Sequence, residues 1–203
     1  LDIYDKYDKA TGKGNVPYAL EYSPPREGAK RVYLDMFRLG ADGSHCRGAV
    51  EACIQFGWAI EAIPLLKTKL EHPSSLGWYV YLRKAIRALE NYPIPQQLDD
   101  IDHSILRDAR TGQFDLDGYV EKLINCQDQE AVMLIAIELA MRYGKITGQQ
   151  LVNECGKEVL RRLPASLVLP ELRRLASSIS NERPQNKAQE LLEAIERSSA
   201  IGE

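Results

Sequence analysis

The sequence lacks an excess of charge of one sign, a long apolar run and a paired cysteine motif, and each absence excludes a class of protein. Its 203 residues include 26 Lys and Arg against 29 Asp and Glu, so no overall positive field attracts nucleic acid or an anionic membrane. No apolar run reaches the roughly 18 residues of a membrane-spanning helix, and no signal-peptide pattern opens the chain. These features predict a cytoplasmic protein without membrane contact. Leu1 in place of an initiating Met is typical of a fragment or a processed product.

The four cysteines, Cys46, Cys53, Cys126 and Cys155, form no C-x-x-C pair, and three of them lie in apolar helical patterns. We therefore interpret them as reduced core thiols. The zinc alternative would combine Cys46 and Cys53 with His45, but that set stops at three ligands among aliphatic neighbours. The other histidines are isolated in sequence, so we predict no metal, no cofactor, no catalytic residue and no small-molecule substrate.

An aspartate-rich turn at 112–118 invites a calcium interpretation. With Gly118 at the glycine position of a calcium-binding loop, Asp115 and Asp117 fall on ligand positions, but the twelfth position is Ile124 instead of Glu. Capping of a helix by Asp115 or Asp117 is the better prediction. A similar turn follows at 144–147, where Thr147 with a Gln three residues later fits a capping box.

Helical periodicity runs through the chain from about residue 29, and no segment has a convincing strand pattern. Residues 1–28 are rich in Tyr, Gly and Pro and predict an irregular or hairpin-like arm. Apolar stripes include Ile54 and Ile60 among the positions predicted to face the core. The nine helices whose limits the pattern predicts are 29–39, 44–56, 59–71, 75–91, about 98–110, 129–143, 148–163, 166–180 and 185–198. The helix at 129–143 is apolar nearly all round, which requires a central position.

The run Ala62-Ile63-Pro64-Leu65-Leu66, with Ala49 and Ala85 placed 36 residues apart, resembles HEAT-type helical repeats over residues 29–92. The resemblance implies an all-α fold of stacked antiparallel helical hairpins in a curved HEAT-like array. A proline-punctuated linker, Tyr92–Pro95, separates 29–92 from a second helical region at 93–203, which we expect to pack continuously with the first. Arrays of this family generally serve as scaffolds.

The basic residues concentrate between 142 and 187, a stretch that contains nine basic and only four acidic residues. Two doublets stand out, Arg161-Arg162 and Arg173-Arg174, each near the predicted end of a helix. A solvated face that complements the helix dipole explains them most simply. The alternative is a patch for an acidic partner or a phosphate backbone. No aromatic residue follows Tyr143, which argues against stacking on single-stranded bases.

Trp78, Tyr79 and Tyr81 form a second candidate surface. They are so close in sequence that they cannot all point to the same face of a helix, so at least one should lie near solvent or against another layer. We expect them to form a core against a neighbouring hairpin, with a partner-binding role for an exposed Trp78 or Tyr81 as the alternative.

Together these patterns predict a non-enzymatic interaction module or scaffold that binds another protein or a second copy of itself. The alternative function is nucleic-acid binding through the basic 142–187 region. The candidate binding residues are Arg161, Arg162, Arg173, Arg174, Trp78 and Tyr81.

Overall fold

Every element that the computed structural model describes is a helix. It describes residues 24–39, 47–71, 73, 76–142, 147–178 and 182–201. Within these ranges a short 3₁₀ turn at Glu27–Ala29 precedes ten α-helices: α1 (Lys30–Leu39), α2 (Arg47–Gln55), α3 (Ala59–Glu71), α4 (Leu76–Leu89), α5 (Gln96–Thr111), α6 (Leu116–Ile124), α7 (Gln129–Met141), α8 (Gln149–Arg162), α9 (Ala165–Ser178) and α10 (Glu182–Ile201). The all-α prediction is confirmed, and the predicted helix limits lie within three residues of these.

The chain divides into two compact units. The first comprises Leu1–His72 and Tyr81–Pro93, and the second comprises Pro73–Val80 and Ile94–Glu203. Most of the predicted N-terminal arm, together with His45, Cys46 and the turn at 143–146, lies outside the described residues. The HEAT-like stacking of hairpins stays a prediction.

In the first unit, α1 packs against α2 and α3, which also contact each other. Tyr33, Phe37 and Trp58 are buried at this junction. The turn from α2 to α3 is a Schellman motif: Trp58 N donates to Cys53 O at 2.9 Å and Gly57 N to Ile54 O at 3.4 Å. Gly57 has a φ of +70°, a conformation that favours glycine.

The second unit is built around α7, as its apolar sequence predicts. Ten of its thirteen side chains are buried, and the helix contacts α5, α6, α8 and α10. Water is therefore excluded from nearly the whole surface of α7. A helix without a polar face is stable only under such cover, since burial of each large apolar side chain contributes about 1.5–3 kcal/mol.

The closest packing in this unit joins α7 to α8. A Cβ added at Gly156 of α8 would lie 2.3 Å from Ala140 N and 2.5 Å from Ala136 O, so the two backbones approach each other directly. Asn153 and Gln149 of α8 donate side-chain hydrogen bonds to carbonyls at the end of α7. Asn153 Nδ2 lies 2.6 Å from Ala140 O, and Gln149 Nε2 lies 3.2 Å from the carbonyl oxygen of Arg142. These bonds satisfy acceptors that a helix end leaves unpaired.

The N-termini of α6, α7 and α8 are capped in different ways. Asp115 accepts a hydrogen bond from Gly118 N at 3.0 Å, so the predicted capping role is confirmed for this residue. Asp128 caps α7 in the same way. The predicted Thr147 capping box is wrong, because the N-cap of α8 is Gly148, which has no side-chain cap. Gly148 has a φ of +78°, and an added Cβ would lie 2.3 Å from Ala109 O of α5.

We expect Gly156→Ala to lower the free energy of unfolding by about 1–3 kcal/mol, because the new methyl group would overlap backbone atoms of α7 that have no rotamer to change. Gly77→Ala is the matched control. An added Cβ at this helical glycine meets no atom within 4 Å, so this change should be neutral or stabilise by up to about 1 kcal/mol. Urea titration followed by circular dichroism measures both. An equal effect at the two positions would contradict the close approach of α7 and α8.

Candidate functional site

The first arginine doublet lies at the end of α8 and is engaged by carboxylates of its own unit. Arg162 Nη1 lies 2.8 Å from Glu121 Oε1 of α6, and its Nε lies 2.9 Å from Glu158 Oε1. Arg161 Nη1 lies 3.2 Å from Glu158 Oε2. The hydrogen bonds from Arg162 and Arg161 lower the pKa of Glu158 below its usual range. Two arginines thus share two carboxylates, which offsets their positive field.

The second doublet lies inside α9, because the helix continues four residues beyond Arg174 to Ser178. The doublet therefore lies about one turn before the last described residue of the helix, near the C-terminal end as predicted. Arg173 Nη2 lies 2.7 Å from Glu196 Oε1 of α10. Arg174 is exposed, and within the described residues no carboxylate forms an ion pair with it. The two doublets are engaged by different carboxylates, Glu121 and Glu158 for the first and Glu196 for Arg173 of the second.

The candidate aromatic residues are less accessible than a partner-binding surface requires. Trp78 is only 7% exposed and Tyr79 is fully buried, so both are core residues. Tyr81 is half-buried. The burial of Trp78 agrees with its predicted position in the core, so this residue is not available for a partner.

Two of the exposed apolar residues of the first unit are ones that the sequence predicted to be buried. Ile60 is 85% exposed and Ile54 is 50% exposed, on either side of the Gly57 turn. The buried positions of α3 are Ala62, Leu66 and Leu70, which are spaced by four. A residue two positions before Ala62 points about 200° away from that face, so the spacing of the buried residues was a usable signal. The predicted stripe included one position too many in each helix.

A charged pair borders this exposed turn. Lys30 Nζ of α1 lies 2.7 Å from Glu61 Oε1, next to Ile60 in sequence, and 5.4 Å from the centre of the Trp58 ring. The hydrogen bond from Lys30 lowers the pKa of Glu61. Phe56 stacks on Trp58 with a centroid distance of 5.0 Å. These contacts link the turn to α1.

A cleft of about 740 Å³ lies in the second unit, between the start of α5 and the junction of α6 with α7. Sequence reasoning did not identify it, because its walls come from segments about 25 residues apart. Its lining residues are Pro95, Gln97, Leu98, Glu121, Lys122, Asn125, Cys126, Gln127 and Asp128.

A hydrogen-bonded network lies beside this cleft. The hydroxyl of Tyr119 donates to Asp108, which also accepts from Arg107 Nε at 2.8 Å. The bond from Arg107 and the bond from Tyr119 lower the pKa of Asp108, while burial and the Asp108 contact raise the pKa of Tyr119 to about 12. Both shifts move away from neutral pH, whereas an acid–base catalyst works best with a pKa near the operating pH.

Among the described residues, no group of three or more His, Cys, Asp or Glu side chains is arranged to hold a metal ion. None of the described helices is long and apolar enough to cross a bilayer. No protein-family model, no curated protein and no solved structure matches the chain.

We expect alkylation of the native protein near pH 8 to modify Cys126 before Cys53 and Cys155. Burial raises the pKa of the Cys53 and Cys155 thiols to about 12, which leaves roughly one thiol in ten thousand ionised at that pH. Cys126 is only partly buried, although burial raises its pKa as well.

Iodoacetamide labelling followed by peptide mass spectrometry measures each site separately, and the same reaction in urea is the control. Equal rates at the three cysteines in the native protein would contradict the buried positions of Cys53 and Cys155.

Proposed function

We propose that this chain is a non-enzymatic protein–protein interaction module, and the observation that carries the proposal is the exposure of Ile54 and Ile60 on either side of the Gly57 turn. Ile60 exposes 85% of its surface and Ile54 half of its own. Exposed isoleucine side chains are suited to burial against a partner, because a β-branched side chain has few rotamers to lose when a partner covers it. The resemblance of residues 29–92 to HEAT-type repeats supports the same role.

The ion pairs of the arginine doublets weigh against the nucleic-acid alternative. Arg161, Arg162 and Arg173 each lie within 3.2 Å of a carboxylate oxygen. A phosphate backbone would have to displace these partners, and the gain from counterion release would be correspondingly smaller. Of the four arginines in the doublets, only Arg174 is exposed without such a pair among the described residues.

We expect the double variant Ile54→Gln/Ile60→Gln to lose the protein partner that the wild type captures from native cell extract. Full burial of an isoleucine is worth about 1.5–3 kcal/mol, and burial of the exposed half of Ile54 about half as much, so the double variant should weaken capture about tenfold or more. Leu151→Gln is the matched control, since Leu151 is 43% exposed in the second unit. Quantitative mass spectrometry of nuclease-treated captures compares the three proteins.

A defined partner that the control retains and the double variant loses supports the proposal. Equal recovery by the wild type and the double variant would remove Ile54 and Ile60 from the interface. Capture that disappears after nuclease treatment would favour the nucleic-acid alternative.

We also expect only weak binding to non-specific duplex DNA, with a shallow dependence on salt concentration. Arginines that are already paired with carboxylates release few counterions from DNA. The slope of the logarithm of the binding constant against the logarithm of the salt concentration should therefore be about −1. Four free arginines would give a slope of about −4. Fluorescence anisotropy between low and physiological salt measures the slope. Arg174→Gln, which removes the one doublet arginine without an ion pair among the described residues, should make the slope shallower, and a steep slope that survives in Arg174→Gln would count against the interaction module.

A further inference from the structure

The linker between α4 and α5, residues 92–95, is exposed and lies outside any helix. Tyr92 exposes 68% of its surface, both prolines are exposed and Ile94 is partly exposed. Pro95 has a φ of −58° and a ψ of 135°, which are polyproline II values. The ring of Pro93 fixes φ near about −65°, and Tyr92 and Ile94 favour extended conformations because each precedes a proline. The sequence of the linker therefore favours polyproline II geometry, and Pro95 adopts it.

Both ends of the linker are anchored by hydrogen bonds. At its start, Tyr92 N donates to Arg87 O at 2.8 Å, the longer of the two bonds of a Schellman motif at the end of α4. Asn91 has a φ of +66°, the left-handed conformation that this motif uses. At its end, Pro95 O accepts from Leu98 N at 2.9 Å in the first turn of α5. Anchored ends and two prolines reduce the conformational entropy that binding would cost.

The linker also presents hydrogen-bonding groups that no described residue engages. The carbonyl oxygens of Tyr92, Pro93 and Ile94 accept no hydrogen bond from the described residues, and the hydroxyl of Tyr92 forms none with them. A polyproline II helix has three residues per turn, so Tyr92 and Pro95 should lie on the same edge. That edge would carry an aromatic ring and a proline ring, with unpaired acceptors beside them.

We propose that the linker 92–95 is a docking site for a partner protein with a groove lined by Trp and Tyr side chains. Grooves of this kind, as in SH3 and WW domains, recognise proline-containing polyproline II segments because these are ordered before they bind. The aromatic faces would pack on the proline rings, and Trp N–H or Tyr O–H groups would donate to the unpaired carbonyls. A partner that adds a β-strand does not fit, because Pro93 and Pro95 supply no N–H for a ladder.

Binding of the full chain to an array of purified SH3, WW and EVH1 domains tests the proposal, because these domains share aromatic-lined grooves for polyproline II segments. We expect at least one domain to bind. Pro93→Ala/Pro95→Ala should weaken that binding about tenfold or more, since two ring contacts and both fixed φ angles are lost. Tyr92→Ala should weaken it by a similar factor. Isothermal titration calorimetry at physiological salt measures the affinities.

Pro170→Ala is the matched control, because Pro170 is an exposed proline inside α9 and not in an extended segment. This variant should bind as the wild type does. Circular dichroism establishes that all variants are folded. A proline-rich peptide that occupies the groove of the same domain should compete with the full chain, which places the linker in that groove.

Absence of binding to every domain of the array, unchanged affinity in Pro93→Ala/Pro95→Ala, an equal loss in Pro170→Ala or failure of the peptide to compete would each overturn the proposal. The linker is separate from Ile54 and Ile60 and goes beyond the function proposed for them. Ile54→Gln/Ile60→Gln should therefore bind the same domain as the wild type does. Its loss of the extract partner reports on the proposed function alone, so the two ideas fail separately.

Discussion

The burial of α7 is the constraint on which the second unit depends. This helix has almost no polar side chain to turn toward water, so neighbouring helices must cover it on every side. Four helices do so, and α8 comes closest because Gly156 removes the side chain that would hold the backbones apart. The polar residues Gln149 and Asn153 then reach the carbonyls at the end of α7. The packing of α8 against α7 thus both buries apolar side chains and pairs the carbonyl groups at the end of α7.

The first unit is organised by aromatic packing instead. Tyr33 and Phe56 surround Trp58, and Lys30 joins this cluster to the charged surface. The Schellman turn joins Trp58 N to Cys53 O, and both side chains are buried. Cys53, Trp58 and Ala62 point into the core on this side of the unit, and Ile54 and Ile60 therefore lie on the solvent side.

Helix class and helix limits could be predicted from the sequence because they depend on local periodicity and capping. Asp115 illustrates this, as its role requires only a backbone N–H three residues away. The cap of α8 could not be predicted in the same way. The conformation of Gly148 is fixed by contact with Ala109, which lies 39 residues earlier in the chain.

The candidate surfaces show the same division between local and distant information. The arginine doublets are visible in the sequence, but the pairing of Arg162 with Glu121 spans 41 residues and determines how much positive charge is available. The exposure of Ile60 depended on which face of α3 meets α1. The cleft required the juxtaposition of α5 with the α6–α7 junction, for which no local pattern exists.

Gly156 also limits how this protein can change during evolution. Its neighbours are main-chain atoms of α7, and these are present whatever side chains occupy that helix. No second substitution on α7 can therefore restore space after a larger residue appears at this position. Distant relatives that keep the α7–α8 crossing should have a glycine there even where nearly every other identity has drifted, which makes this position a marker for recognising them.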